Sequence, residues 1–486
     1  MIDREAVRSN AKYLQQVRPI DPDEIADYIQ EQPHPAVVAQ TLREEAFDLG
    51  LVERADGTFV PLEAEAVPHQ EWSPSALPAA YSRAVEDFLV KQYGANWHRG
   101  ESGATLRSTI RTLKADYLAG DDIAYDAATA AAYAIYHLPA YYATIGYVVA
   151  TLTERGLLPA SLRVLDVGAG VGGPALGLHD LVFGDTDDRE PTAGLVDYHA
   201  VEPSAAADVL ERMLGETSRN FRSTIHRSTI EAFDYDIDDT GDTDACFDLI
   251  IFGNVCNELD DPVAVVTDAL SHLADDGTVL LLEPADRNTA TELREIERAV
   301  AGGDTDATVY APTLRLWDGV EPDDRGWSFD VQPEITVPAF QDRLAEAAAE
   351  AGEDDPDAFR NVDVQFAYSL LRRDNERRYP FRASRDRHAK MAAMDDHVTE
   401  RIDLLAVKLS HDLSDGDNAV FKIGDGSQTT DHYAVVTKQS GLNRALADAD
   451  YGAVLAFENT LVLWNDDEDA YNLVVDGETV VDRLSG

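Results

Sequence analysis

The run Arg163-Val-Leu-Asp-Val-Gly-Ala-Gly-Val-Gly-Gly-Pro174 constrains this chain more than any other stretch. Val164-Leu165 reads as a short apolar strand that Asp166 ends. Gly168, Gly170, Gly172 and Gly173 follow, and Ala175-Leu-Gly-Leu178 opens a helix. A strand that passes through a glycine loop into a helix is a cradle for a small molecule. Glycine lets backbone approach a ligand closely, and the first turn of the helix offers unpaired N–H groups.

The spacing admits two ligands. Gly168, Gly170 and Gly173 fit G-x-G-x-x-G of a dinucleotide site. Asp166, Gly168, Gly170 and Gly172 equally fit D-x-G-x-G-x-G, the first motif of methyltransferases that use S-adenosylmethionine. The next strand, Val196-Asp-Tyr-His-Ala-Val-Glu202, ends in an acid able to accept from ribose hydroxyls in either case. That acid lies farther on than the roughly 20 residues usual for dinucleotides. An acidic insertion at 184–191 accounts for the excess, so spacing alone does not decide. Two further buried strands follow, Cys246-Phe-Asp-Leu-Ile-Ile-Phe-Gly253, leading into Asn254-Val-Cys-Asn-Glu-Leu259, and Gly277-Thr-Val-Leu-Leu-Leu-Glu-Pro284. This order favours S-adenosylmethionine over NAD. The expected ligand contacts are Asp166, Gly168, Ala169, Gly170, Gly172, Glu202 and Asn254.

A chain of 486 residues is too long for one core. The reading divides it into a winged helix-turn-helix-like region (1–70), a helical region (71–155), a Rossmann-like α/β domain (156–375), a basic linker (376–399) and an OB-like β-barrel (400–486). In the first, three helices at 4–18, 21–31 and 35–49 precede a hairpin around Asp56-Gly57, a module that binds nucleic acid or protein. One long helix near 126–154 carries Tyr133, Tyr136, His137, Tyr141, Tyr142 and Tyr147, read as packing residues. The barrel rests on six strand candidates at 404–410, 419–423, 433–437, 453–457, 461–464 and 472–475. A helix at 442–449 falls between the third and fourth.

Charge is the strongest bulk signal: 91 acidic against 40 basic residues, a formal net of −51. Only seven of the basic residues are lysines. Acids spread over the whole chain are what a salt-rich cytoplasm selects, because a Debye length of about 3 Å or less screens self-repulsion. No apolar run reaches the roughly 18 residues of a membrane span, and the N-terminus lacks a signal-peptide pattern. A cytoplasmic protein without a membrane partner is expected. Two cysteines, Cys246 and Cys256, exclude a disulfide framework and a four-thiolate metal site within one chain, so no metal is expected.

One segment breaks the acidic rule. Residues 372–390 hold eight Arg or Lys against three acids, with Tyr379 and Phe381 interleaved. Arg372, Arg373, Arg377, Arg378, Tyr379, Phe381, Arg382 and Arg385 are the candidate RNA-binding residues, by stacking and arginine–phosphate pairing. The alternative is an arginine-laced linker pairing with acidic neighbours.

Tyr136-His-Leu-Pro139 with Tyr141-Tyr142, Leu165-Asp-Val-Gly-Ala-Gly170, Asn254-Val-Cys-Asn-Glu-Leu259, Leu282-Glu-Pro284 and Phe366-Ala-Tyr-Ser-Leu-Leu-Arg372 fit one pattern. Over about residues 130–375 the chain resembles the methyltransferase-like assembly factors of the small ribosomal subunit, best known from mitochondria, here in a haloarchaeal-type form. The resemblance implies a class I S-adenosylmethionine fold and a role on small-subunit rRNA or a pre-ribosomal particle. Family members commonly hold an iron–sulfur cluster through cysteines after the Glu-Pro strand. The matching stretch here has none, so the cluster is expected to be absent, with Trp317, Trp327 and Phe329 packing in its place. Catalytic residues are not declared by a motif; Asn254 and Glu258 are the candidates to orient a substrate amine. Three readings follow: an rRNA methyltransferase, a catalytically inactive assembly factor that keeps the ligand site, and a methyltransferase of a small molecule or protein.

Overall fold

The computed structural model describes residues 2–30, 32–119, 123–184, 193–237, 246–312, 314–320 and 322–484. The acidic insertion falls almost wholly outside the described residues. By contacts the chain divides into two units, residues 1–250 with 333–364, and residues 251–332 with 365–486. No helix among the described residues is long and apolar enough to cross a membrane.

The first unit begins with α1 (Arg4–Leu14), α2 (Pro22–Tyr28), α3 (Pro35–Glu44) and the short α4 (Ala46–Leu49). Asp3 and Asp21 accept from backbone N–H groups of the first turns of α1 and α2, which is why these helices start where they do. Strands β1 (Leu51–Glu53) and β2 (Phe59–Pro61) pair antiparallel as the expected hairpin. Val7, Leu14, Ile25, Val38, Leu42, Leu51 and Phe59 close a small core beneath it.

Helices α5 (Ala79–Tyr93) and α6 (Gly100–Ala119) lead to the alanine-rich region. The single helix expected at 126–154 is two: α7 (Ala127–Tyr136) and α8 (Leu138–Thr153). Pro139 is the cause, since it has no N–H to donate and its ring crowds the carbonyl four residues back. Asp126 caps α7 through the N–H groups of Ala128 and Thr129, both at 2.9 Å.

Next come β3 (Ser161–Val167), α9 (Gly173–Phe183), β4 (Leu195–Val201), α10 (Ala206–Leu214), β5 (Phe221–His226) and β6 (Phe247–Gly253). β3 runs parallel to β4, and β4 parallel to β5, so the edge reads β5-β4-β3-β6. β3 extends past Val164-Leu165 and carries Asp166 within it rather than ending there. Its central residues are buried, as a strand covered on both faces requires. α8 and α9 touch at glycines: a Cβ on Gly177 would lie 2.2 Å from Ile145 Cγ2 and 2.4 Å from Tyr142 O.

The second unit contributes α11 (Pro262–Leu270), β7 (Leu273–Pro284), α12 (Arg287–Ala301), β8 (Thr308–Ala311) and β9 (Asp330–Gln332); α13 (Ala339–Glu350) returns to the first unit. β10 (Val364–Arg372) runs antiparallel to both β7 and β8, and β9 pairs with β10. The eight-stranded sheet is therefore mixed, parallel at one end and antiparallel at the other, as in a class I methyltransferase fold. Trp327 stacks on Phe329 at 4.7 Å and donates its N–H to Ala285 O at 2.8 Å, while Trp317 is buried and donates to Asp425.

The C-terminal strands are β11 (Arg401–Lys408), β12 (Ala419–Gly424), β13 (His432–Val436), β14 (Val454–Asn465), β15 (Ala470–Val475) and β16 (Val480–Leu484), with α14 (Arg444–Asp448) after β13. Pairing runs β11-β12-β13-β15-β14 and closes through β14 onto β11, with β13 and β15 parallel. This is a closed five-stranded barrel of OB-like order, helix included; β16 lies beside β14 outside the ring. The two strand candidates at 453–457 and 461–464 are one bent strand. Asn459 takes a left-handed φ of 61° there, and the register with β11 shifts between Ile402 and Leu404, which is a bulge.

The glycine contact between α8 and α9 generates a test. Gly177→Val puts two methyls where Ile145 and the Tyr142 carbonyl already sit, an overpacking that costs about 1–3 kcal/mol or more. The midpoint of chemical denaturation is expected to fall accordingly; a midpoint equal to the parent's would mean the helices do not meet at this glycine.

Candidate functional site

The site in the first unit grows from the ends of β3 and β4. Gly168, Gly170 and Gly172 all have positive φ, 65°, 54° and 94°, a region side-chain-bearing residues avoid, so the glycines are required by the turn itself. The N–H groups of Gly168 and Ala169 donate to Val201 O at 2.9 and 3.2 Å, which pins the loop onto β4. Glu202, next along, is buried; its carboxylate accepts from Gly170 N–H and from Ser204 N–H, both at 2.8 Å. Each carboxylate oxygen keeps a second lone pair for a ligand hydroxyl.

Asp166 is fully buried. One of its oxygens accepts from the Tyr198 hydroxyl, and the other, Oδ1, has no partner. Burial pushes its pKa up to about 7, the Tyr198 hydrogen bond opposes this, and the nearby Glu202 charge adds to it. An orphaned carboxyl oxygen beside a glycine turn fits a polar small molecule. Asp166, Gly168, Ala169, Gly170, Gly172 and Glu202 thus lie together around the ends of β3 and β4.

Beside this loop lies an aromatic group that the sequence reading assigned to packing. Rings of Tyr125 and Tyr133 are 5.7 Å apart, Tyr133 and His137 4.6 Å, and His137 stacks on Tyr141 at 5.3 Å and 21°. Its two ends touch the cradle elements. Ala205 N–H donates to Tyr125 O, and a Cβ on Gly173 would lie 2.8 Å from Tyr141 Cβ. Burial, with a smaller push from Lys114, lowers the His137 pKa to about 3, so its imidazole is neutral near pH 7. The buried Gln341 of α13 donates to Ile135 O at 2.8 Å and anchors the end of α7. Tyr142, in contrast, is a packing residue, its hydroxyl bound to the Asp180 carboxylate at 2.8 Å. The sequence signals for this cluster were the helical spacing of Tyr133, His137 and Tyr141, which is also the spacing of a core stripe, and the motif Tyr136-His-Leu-Pro139 with Tyr141-Tyr142.

In the second unit, Asn254 follows β6 with a left-handed φ of 58°, donates its backbone N–H to Leu282 O at 2.7 Å, and leaves its buried amide Nδ2 without a partner. Glu258 is exposed. Glu283, at the end of β7, is the residue the sequence reading quoted without a role. Its Oε1 accepts from Cys256 N–H at 2.9 Å, and its buried Oε2 has no partner. Burial raises the Glu283 pKa to about 8, and the Glu258 charge adds to that rise. Cys256 is buried and its thiol is pushed up by burial and by Glu283, so it is no nucleophile. Among the described residues no group of three or more His, Cys, Asp or Glu is arranged to hold a metal ion.

The basic segment is mostly committed to the fold. Arg372 is fully buried, pairs with Asp374, and donates to Thr278 Oγ1 and Asp276 O at 2.7 Å each. Arg373 pairs with Asp306, Arg377 donates to Arg315 O at 2.8 Å, and Arg382 pairs with Asp318 at 2.7 Å. Arg378 is buried over the Tyr379 ring at 5.4 Å, and Tyr379 and Phe381 pack against Leu314, Trp317 and Val407. Arg385 is exposed.

The two raised carboxyls fix a sign. Between the ordinary Glu value of 4.5 and about 8, folded Glu283 holds a proton that the unfolded chain has released, so its contribution to stability falls as pH rises through that window. Glu283→Gln removes this loss while keeping an acceptor for Cys256 N–H. The melting-temperature difference, variant minus parent, is expected to grow in the variant's favour from pH 5 to pH 8. A pH-independent difference would show that Glu283 ionises normally.

A methyltransferase-domain family pattern matches residues 140–333. The N- and C-terminal domains of a family of unknown function (DUF8157) match residues 4–55 and 392–484. No curated protein matches the chain. Among solved structures, an S-adenosylmethionine-dependent methyltransferase from Clostridium acetobutylicum is 15% identical over 32% of this chain and 53% of its own, with a TM-score of 0.22. The plantazolicin methyltransferase BpumL, solved with SAH, is 9% identical over 60% of this chain and 98% of its own, at 0.29. The glycopeptide N-methyltransferase MtfA is 22% identical over 31% and 59%, at 0.22. The chain spans about half the length of the first of these, and scores this low carry no argument about function. The strand order and the domain match together establish a class I S-adenosylmethionine-dependent methyltransferase fold in this chain.

Proposed function

We propose that this protein transfers a methyl group from S-adenosylmethionine to RNA of the small ribosomal subunit. The observation that carries the reading is the run of flat, uncharged rings, Tyr125, Tyr133, His137 and Tyr141, whose ends touch the loops at Ala205 and Gly173. A planar base stacks on such faces at about 1–3 kcal/mol each, whereas a flexible aliphatic acceptor gains little from them. The motifs shared with the small-subunit assembly factors support the choice of rRNA.

The residues suit the cofactor. The Gly168–Gly172 backbone would surround its amino-acid end, and Glu202 would take its ribose hydroxyls with the lone pairs left free. When bound, the cofactor supplies a methyl on a sulfonium, a good leaving group. The chain then has chiefly to hold the acceptor in line and keep water out. In the second unit, Asn254 has a buried amide Nδ2 without a partner and is suited to hold a polar group. A second reading, a ligand-binding assembly factor without turnover, draws support from the exposed position of Glu258, which leaves that candidate open to water rather than enclosed around an acceptor.

Two measurements separate these. Gly170→Val forces a β-branched residue into a φ of 54° and places its methyls on the ligand side, where only Gly168 O lies within 4 Å of the new Cβ. Calorimetry is expected to show S-adenosylmethionine affinity reduced by about 100-fold or more, the scale of roughly 2–3 kcal/mol of lost contacts and strain. Equal affinity would remove the cradle assignment. With the full chain in molar potassium chloride, label from methyl-labelled cofactor is expected in the rRNA of stripped small-subunit particles. Tight cofactor binding with no label in RNA would leave the second reading standing.

A further inference from the structure

In a chain of net charge −51, one cavity gathers cations. It has a volume of about 400 Å³ and lies where the segment after β10 enters the barrel. Its charged and titratable lining is Arg385, Arg387, His388, Lys390 and His397, with Asp403 the one carboxylate. Among the described residues Arg385, Arg387 and Lys390 enter no ion pair, unlike Arg372, Arg373 and Arg382 of the same segment. Lys390 lies over the Trp317 ring at 5.9 Å, a contact that leaves its charge unneutralised.

The cavity wall is built rather than draped. Ala389 N–H donates to Asp403 O at 2.8 Å, and Ser384 N–H donates to His388 Nδ1 at 3.0 Å. Met391 and Ala392 donate their N–H groups to Asp425 and Ser427 of the barrel at 3.0 and 3.1 Å. With Nδ1 accepting, a neutral His388 carries its proton on Nε2 and is a donor there. Burial and the adjacent Arg387 hold the His388 pKa below its usual value, as expected where positive charge is already in excess.

The turn Met391–His397 that contributes His397 to this wall also approaches an aromatic pair. Met391 and Met394 of that turn belong to the core against which Tyr471 packs. Tyr471 meets Trp464 edge-on at 4.8 Å, and Trp464 is 38% exposed. A cation-lined cavity reached by the same turn as an exposed indole is the pattern of a single-stranded nucleic-acid groove, with backbone held by cations and a base by a ring. An anionic membrane offers no base to the indole and is repelled by the acidic body of the chain.

We propose that the Arg385–Arg387–Lys390 cavity seats a phosphodiester of single-stranded RNA and that Trp464 takes a neighbouring base. The choice of RNA as the polymer rests on the RNA-directed reading above. The cavity is a second site, on the barrel rather than at the cofactor cradle, so it serves to hold the substrate and not to methylate it.

The test is fluorescence anisotropy of the full chain with a labelled single-stranded RNA of about a dozen nucleotides. Arg385→Ala/Arg387→Ala is expected to weaken binding by about tenfold or more, since each lost charged hydrogen bond is worth a factor of about ten. Trp464→Ala is expected to weaken it by about tenfold, the scale of one base stack. Arg444→Ala/Arg483→Ala removes two charges from elsewhere on the barrel, where both arginines pair with acids, and is expected to stay within about twofold of the parent. S-adenosylmethionine affinity should be unchanged in all of them. No binding by the parent, equal losses in the two double variants, or no loss in the first overturns the proposal. The two readings fail separately. Cavity-dependent RNA binding with no methyl transfer sinks the methyltransferase reading alone. Methyl transfer to rRNA with cavity-independent binding sinks this one alone.

Discussion

The rest of the candidate site depends on one carboxylate. Glu202 accepts from Gly170 N–H and Ser204 N–H at once, and so ties the loop after β3 to the loop after β4. Its buried charge would be costly alone, but two charge-assisted hydrogen bonds offset the desolvation and leave lone pairs for a ligand. Three successive positive-φ glycines let the loop reach that carboxylate. The unpartnered Asp166 Oδ1 lies beneath the same loop, at the end of β3. The polar groups of this corner are thus half satisfied by the protein, which is the state expected of a site awaiting a polar ligand.

A second constraint is where an acid-rich chain places its few cations. Arg294, Glu297 and Arg298 form a buried set on α12, with Arg294 also donating to Tyr368 O and Arg298 to Asp324 O. Arg372 joins β10 to the β7 region in the same manner, through Thr278 and Asp276. Arg372 is bonded through all three of its nitrogens and Arg294 and Arg298 each through two, so these buried arginines hold segments in one arrangement and are unavailable to an outside anion. That leaves Arg385, Arg387 and Lys390 as cations of the segment without an ion pair among the described residues, which is the physical basis for proposing an RNA contact there rather than along its whole length.

Much of the architecture was legible because it rests on local rules. The glycine cradle, the Asp-Gly hairpin and the barrel's strand–helix order all follow from backbone sterics and short-range hydrogen bonding. Where the reading missed, tertiary geometry had overridden composition. Pro139 splits what its alanine and aromatic content presents as one helix. β14 joins two apparent strands through a bulge at Asn459, whose N–H is held by Asp403 of β11. Glu283 read as the last residue of a buried strand, because nothing in a sequence reveals that one of its oxygens will be left without a partner.

The sequence by itself determined the fold class and the glycine loop after β3, since periodicity and the freedom of glycine at positive φ are properties of the chain's own backbone. Only the tertiary structure decided which partners each charged and aromatic residue meets. Arg372 and Arg385 are the same residue type within one basic run, yet one is buried against Thr278 and Asp374 and the other lines an open cavity. Tyr142 and Tyr141 are neighbours, yet one is bound to Asp180 in the core and the other stacks beside the cradle. Burial and hydrogen-bond partners come from segments distant in sequence, so a side chain's availability is fixed by packing and not by its identity.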